Sequence, residues 1–139
     1  MNELGFIFQN FLLIEGLTVL ENICLNLKFA RKSKKESKDI AYDYLEKFGI
    51  RDLAEKFPNS LSHGEKQRVA IIRALCNDAR IILADEPTAS LESNQGFQII
   101  ELLHSLAKNE NKCIIVVSHD LRIKKFADRI VKIEDGRLC

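Results

Sequence analysis

The run Arg80-Ile81-Ile82-Leu83-Ala84, ending at once in Asp85-Glu86-Pro87, constrains this chain more than any other feature. Its apolar residues do not alternate with polar ones, so it reads as a strand buried on both faces, as in parallel sheets covered by helices. The stretches 112–117 and 129–134 repeat the pattern, the last ended by Asp135-Gly136. Between them Ile99, Ile100, Leu102, Leu103 and Leu106 mark a long helix, and Leu121 to Ala127 a short one. Strands alternating with helices predict an α/β fold with a parallel sheet. With 139 residues, 46% of them hydrophobic, the chain holds one packed domain or part of one.

Upstream the chain is mostly helical. Leu4 to Gln9 reads as a short apolar strand, and Asn10 to Leu17 as a loop exposing Phe11, Leu12 and Leu13. Three capping boxes follow: Thr18 with Glu21, Ser33 with Glu36, and Ser62 with Glu65. The first opens a helix over 19–29, in which Val19, Ile23 and Leu27 share a face. The second precedes Ile40, Tyr44, Leu45 and Phe48, closed by Gly49, and Ala30 to Lys38 reads as a solvated basic turn. A short helix over Arg51 to Lys56 ends before Pro58. The third box starts a strongly periodic helix that runs to Cys76, so 19–76 is expected to be helical with Ser62 at a helix N-terminus.

Lys and Arg number 21 against 20 Asp and Glu, a net charge of +1, which argues against nucleic acid as a partner. Cys24, Cys76, Cys113 and Cys139 form no C-x-x-C pair, so neither a disulfide framework nor a zinc site is expected, and a reducing cytosol fits. No apolar run is long enough to span a bilayer.

Asp85 and Glu86 end a buried strand, where α/β proteins bind ligands. One carboxylate there can hold Mg²⁺ through water and the next can polarise an attacking water. Alone, the pair also reads as loop acids solvated at a strand end. Ser62-His63-Gly64-Glu65 opens a helix, whose N-terminal N–H groups favour phosphate, although a plain capping box carries the same residues. His119 follows the strand 112–117 and can reach the crevice of Asp85 and Glu86, or simply cap a helix. Gln9 ends a strand and can orient water or a metal, or be a polar terminus and nothing more.

Taken together, Gly5-Phe6-Ile7-Phe8-Gln9, Leu61-Ser62-His63-Gly64-Glu65, Leu83-Ala84-Asp85-Glu86-Pro87 and Val117-Ser118-His119-Asp120 closely resemble the nucleotide-binding subunit of ATP-binding cassette (ABC) transporters. The stretch Gly5 to Ile23 is most similar to the exporter-associated group of lipoprotein-release, macrolide and bacteriocin efflux ATPases. The resemblance implies a P-loop NTPase sheet with an inserted helical subdomain. Residues 1–9 would end a core strand and enter the Q-loop, 10–77 would form the helical subdomain, and 78–139 the rest of the core. It implies that Gln9 senses Mg²⁺ and the γ-phosphate, that Asp85 holds the metal, and that Glu86 and His119 act on the reacting phosphate. Ser62, Gly64 and Glu65 would contact ATP held by the opposite subunit, and Glu92 would lie in the D-loop. The implied partners are a membrane permease and a second nucleotide-binding subunit, with the chain cytoplasmic and peripheral on the inner face of the membrane. Two departures stand out: His63 replaces the usual first glycine of the signature, and Glu92 the usual aspartate of the D-loop.

A P-loop requires Gly-x-x-x-x-Gly-Lys-Ser/Thr. The six glycines, at 5, 16, 49, 64, 96 and 136, include no pair five apart. The resemblance therefore implies the C-terminal part of a cassette, inactive on its own and with unpaired apolar sheet edges. Two other functions fit the same residues: a non-catalytic module that docks on a permease or a full cassette, and a cassette ATPase serving DNA repair or translation. Gly5 to Ile23 and the single signature favour transport over the latter.

Overall fold

The structure is a computed structural model that describes residues 4–138; the expected segment 1–3 and Cys139 lie outside them. All three capping boxes form. Thr18, Ser33 and Ser62 each accept a hydrogen bond from the backbone three residues on, and Glu21, Glu36 and Glu65 reach back to the cap. They open α1 (Val19–Phe29), α2 (Lys34–Lys47) and α3 (His63–Leu75). Each such cap contributes about 1 kcal/mol. The basic turn after α1 is shorter than the sequence suggests, because α2 already begins at Lys34. Single turns of 3₁₀ helix at Arg51–Leu53 and Pro58–Ser60 join α2 to α3.

Strands β1 (Leu4–Ile7), β2 (Ile81–Asp85) and β3 (Cys113–Val117) pair in parallel in the order β1-β2-β3. The register sets Leu4 beside Ile81 and Ile81 beside Cys113. The long helix α4 (Ser93–Asn109) crosses from β2 to β3. One continuous apolar cluster joins the sheet to the helices, with Ile7, Ile23, Leu45, Ile72, Ile82 and Ile99 all below 3% exposed. At Gly5 the sheet meets α3 so closely that a Cβ would lie 2.3 Å from the Ala74 carbonyl oxygen. A side chain at that position would push β1 off α3.

Two expectations are corrected. The sheet is covered on one face, not two. Ile7, Ile82 and Ala84 are buried, whereas Leu4, Phe6, Ile81, Ile115 and Val117 on the other face are between 37% and 63% exposed. Apolar residues on both faces encode two-sided burial, but α3 and α4 supply only one layer among the described residues. The expected parallel strand over 129–134 is absent as well. Instead β4 (Ile133–Glu134) and β5 (Arg137–Leu138) form a short antiparallel hairpin, and Ile130, Val131 and Ile133 are exposed. An apolar β-prone segment joins a parallel sheet only beside a neighbour strand, and these residues pair with none of β1–β3.

Candidate functional site

The C-terminal ends of the three strands open into one cleft of about 620 Å³, lined by Gln9, Asp85, Glu86, Thr88, His119 and Asp120. This is the end of an open parallel sheet at which ligands bind. Asp85 is exposed at the tip of β2, and Gln9 is exposed in the turn beyond β1.

Glu86 is held in an unusual conformation. Its φ of +44° lies in the left-handed region, a cost of about 1–3 kcal/mol for a residue with a side chain. The surroundings hold it there. Its N–H donates to the Val117 carbonyl at 2.8 Å. Its carboxylate accepts from the Ser118 hydroxyl at 3.0 Å and from the His119 N–H at 3.1 Å. The His119 ring is fully in solvent, with Nε2 3.6 Å from Glu86 Oε1. The crossing from β2 to β3 thus brings Glu86 and His119 well within a sheet spacing of roughly 10 Å.

Asp120 anchors this corner. It accepts from the Thr88 hydroxyl at 2.9 Å and from the Arg122 guanidinium, whose Nη2 lies 2.6 Å away. That guanidinium, with its hydrogen bonds, holds the Asp120 carboxyl down at about 2. Arg122 also donates to the Ser93 carbonyl and hydroxyl, so the segment bearing His119 is tied to the start of α4.

Among the described residues no three His, Cys, Asp or Glu converge as a metal cage. Mg²⁺ does not need one, since it keeps several waters and takes one or two carboxylates plus substrate phosphate. Asp85 and Gln9 offer hard oxygen donors at the same cleft and fit such an ion.

Ser62, Gly64, Glu65 and Glu92 do not line this cleft. Ser62 is exposed at the tip of α3, and its N–H donates to Glu65 Oε2 at 2.8 Å, so the Glu65 carboxylate serves the cap. Gly64 packs on Gln95, where a Cβ would come within 3.2 Å of the side-chain amide. Glu92 caps α4 without a side-chain hydrogen bond.

Sequence reasoning passed over the residues that hold the loop after Gln9. Phe11 and Leu12 both have positive φ, and Arg73 of α3 donates to both of their carbonyls. Asn22, 2% exposed, accepts from the Ile14 N–H and donates to the carbonyls of Ile14, Leu17 and Thr18. A polar residue on the Val19–Ile23 face of α1 was the available signal.

The family described as ABC transporter matches residues 1–89 of this chain. YvrO, an uncharacterized ABC transporter ATP-binding protein of Bacillus subtilis, is 47% identical over 136 residues, which cover 98% of this chain and 59% of the relative. A Staphylococcus haemolyticus protein with the provisional name hemin import ATP-binding protein HrtA is 41% identical over 99% of this chain and 62% of its own length. The ATP-binding cassette MJ0796, solved as a dimer in a post-hydrolysis state with ADP and Pi, superposes with a TM-score of 0.85 at 41% identity, over 98% of this chain and 60% of that one. The cbiO1 protein of Clostridium perfringens, part of the cbiONQ transporter complex, gives 0.88 at 27% identity, over 99% and 56%. The chain therefore spans less than two thirds of the length of these relatives.

Proposed function

The chain belongs to the ABC transporter family, and from that premise we propose that it forms part of an ATP-hydrolysing subunit that drives a separate membrane permease in the export direction. The observation that carries this is the meeting of Gln9, Asp85, Glu86 and His119 in one cleft at the C-terminal end of a parallel sheet. In this reading 1–9 and 78–139 belong to the ATPase core and 10–77 forms the helical subdomain between core and permease.

Glu86 polarises the attacking water. Its carboxylate is aimed by Ser118 and the His119 N–H, so it acts from a fixed position, and positioning is where most of the catalysis of phosphoryl transfer lies. His119, with its ring free in solvent, contacts the terminal phosphate, and Gln9 orients water at the same end. Asp85 and Gln9 would hold Mg²⁺, mainly through water; when bound, the ion neutralises phosphate charge. Ser62, Gly64 and Glu65, outside the cleft, face the nucleotide of a second subunit, and Glu92 lies across the same interface. The likeness to a dimeric cassette with ADP and Pi supports that arrangement.

The permease docks at a groove of about 520 Å³ between β1, α1 and α3, lined among others by Phe8, Leu12, Ile14, Leu25 and Phe29. Phe29 is 78% and Leu12 55% exposed, the kind of apolar surface that marks a partner. No helix among the described residues is long and apolar enough to cross a membrane, which fits a subunit seated on a permease at the inner face. The resemblance of Gly5 to Ile23 to exporter cassettes carries the export direction, whereas the name of the S. haemolyticus relative says import. With this chain fused to the N-terminal part of YvrO and the permease that crosslinks to Leu12, ATP-driven uptake into inside-out vesicles is the expected result; uptake only into right-side-out vesicles would reverse the direction.

No Gly-x-x-x-x-Gly-Lys occurs in these 139 residues. Phosphate release is therefore expected from a fusion of this chain to the N-terminal part of YvrO, and not from the 139 residues alone. Glu86→Gln should lower turnover of the fusion at least a hundredfold, as loss of a general base does. A fusion that binds ATP but never turns it over would leave a docking module as the function.

A further inference from the structure

The signature departs from its family at His63, and the structure gives that side chain a specific job. His63 is the first residue of α3, directly after Ser62. Its Nδ1 lies 2.9 Å from the carbonyl oxygen of Ser90, in the turn between Glu86 and α4. Its ring sits 5.8 Å, centroid to centroid, from the ring of Phe11, in the loop after Gln9. Two further contacts run along the same seam: Gln67 Nε2 donates to the Pro87 carbonyl at 2.9 Å, and Gly64 packs on Gln95. Glycine at position 63 could supply neither the donor nor the ring.

We propose that His63 is a positioning residue that fixes Ser62 against the turn 87–92 and against Phe11, so that the signature, the D-loop and the loop after Gln9 move as one unit. The chemistry sets the form of the imidazole. A carbonyl oxygen only accepts, so Nδ1 carries the hydrogen and, in the neutral ring, Nε2 keeps the lone pair. The importance of holding Ser62 rests on the reading of Ser62 as a nucleotide contact. The linkage itself does not, and it can be tested with no nucleotide present.

The test uses the full chain. Long-range ¹H–¹⁵N spectra at mildly alkaline pH should show His63 as the Nδ1–H tautomer. Ala89 and Leu91 donate to the carbonyls of Glu86 and Thr88, so their amide exchange reports the turn. Three variants separate positioning from helix propensity. The amide nitrogen of asparagine falls where Nδ1 stands, and that of glutamine where Nε2 stands. With His63→Ala and His63→Gln, exchange at Ala89 and Leu91 should rise about threefold to tenfold, the effect of one lost hydrogen bond. With His63→Asn it should stay within about twofold of the parent. A predominant Nε2–H tautomer would overturn the proposal, as would equal exchange in the Asn and Gln variants. The tautomer is read on the unsubstituted chain, so it decides even where a variant fails to fold.

Discussion

Asp120 shows how one side chain holds the cleft in place. It takes hydrogen bonds from Thr88 and Arg122, and Arg122 goes on to Ser93. Because the Asp120 carboxyl is held down at about 2 in the folded chain, against about 3.9 when free, the unfolded chain takes up the proton first and acid favours unfolding. The stabilisation is full above about pH 4 and fades as the pH falls towards 2. Near the surface it amounts to about 1 kcal/mol, less than the whole shift would imply. Urea unfolding of the parent and of Asp120→Asn should therefore differ by about that amount at neutral pH and converge as the pH falls to about 2. A gap that persists in acid would place the effect elsewhere. The segment Ser118-His119-Asp120 was legible in the sequence. Its tie to Thr88 was not, because a hydrogen bond between residues 32 positions apart leaves no local pattern.

At the level of elements, the capping boxes and helical periodicities told where α1, α2 and α3 begin, since capping depends on neighbours along the chain. The loop 10–18 is different, because its shape is imposed from outside by Asn22 and Arg73. The Asn22 side chain, itself buried, accepts from one N–H and donates to three carbonyls, and those of Ile14 and Thr18 also accept from the backbone N–H groups of Leu17 and Asn22. Replacing Asn22 by leucine fits the apolar face of α1 but leaves the Ile14 N–H and the Leu17 carbonyl without their partner, and each such loss costs about 1–3 kcal/mol where the group stays out of water. With some relief from water entering the loop, Asn22→Leu should destabilise the chain by about 2 kcal/mol in chemical denaturation. It should also speed proteolytic cleavage within 11–17. An unchanged midpoint would mean that the loop holds its shape without this residue. The segment 129–134 marks the limit of reasoning element by element. Its composition encodes a strand, but whether it becomes one depends on a neighbour that no local pattern specifies.

Across the whole molecule, the α/β class was legible because unbroken apolar strands between helices have few other solutions. The same strands carry apolar residues on both faces, and here only one face is covered. Phe6, Ile115 and Val117 stand open on the other, at 45%, 51% and 63% exposure, and the outer edge of β3 has no partner among the described residues. Neighbouring exposed apolar residues of this kind favour association, and free strand edges invite pairing between chains. The 139 residues by themselves should therefore bind a hydrophobic dye such as ANS strongly and self-associate as concentration rises. The relatives contain a further stretch of chain of unmatched length, 41% of YvrO when the matched 59% is taken from the whole. If that stretch supplies the second layer, fusing the N-terminal part of YvrO should cut dye fluorescence severalfold and give a monomer by light scattering. Phe6→Lys in the 139-residue chain should also weaken dye binding, since it breaks the apolar patch without touching the buried face. Dye binding that is weak in the bare chain, or unchanged by both alterations, would mean that this face is not the sticky surface its residues describe.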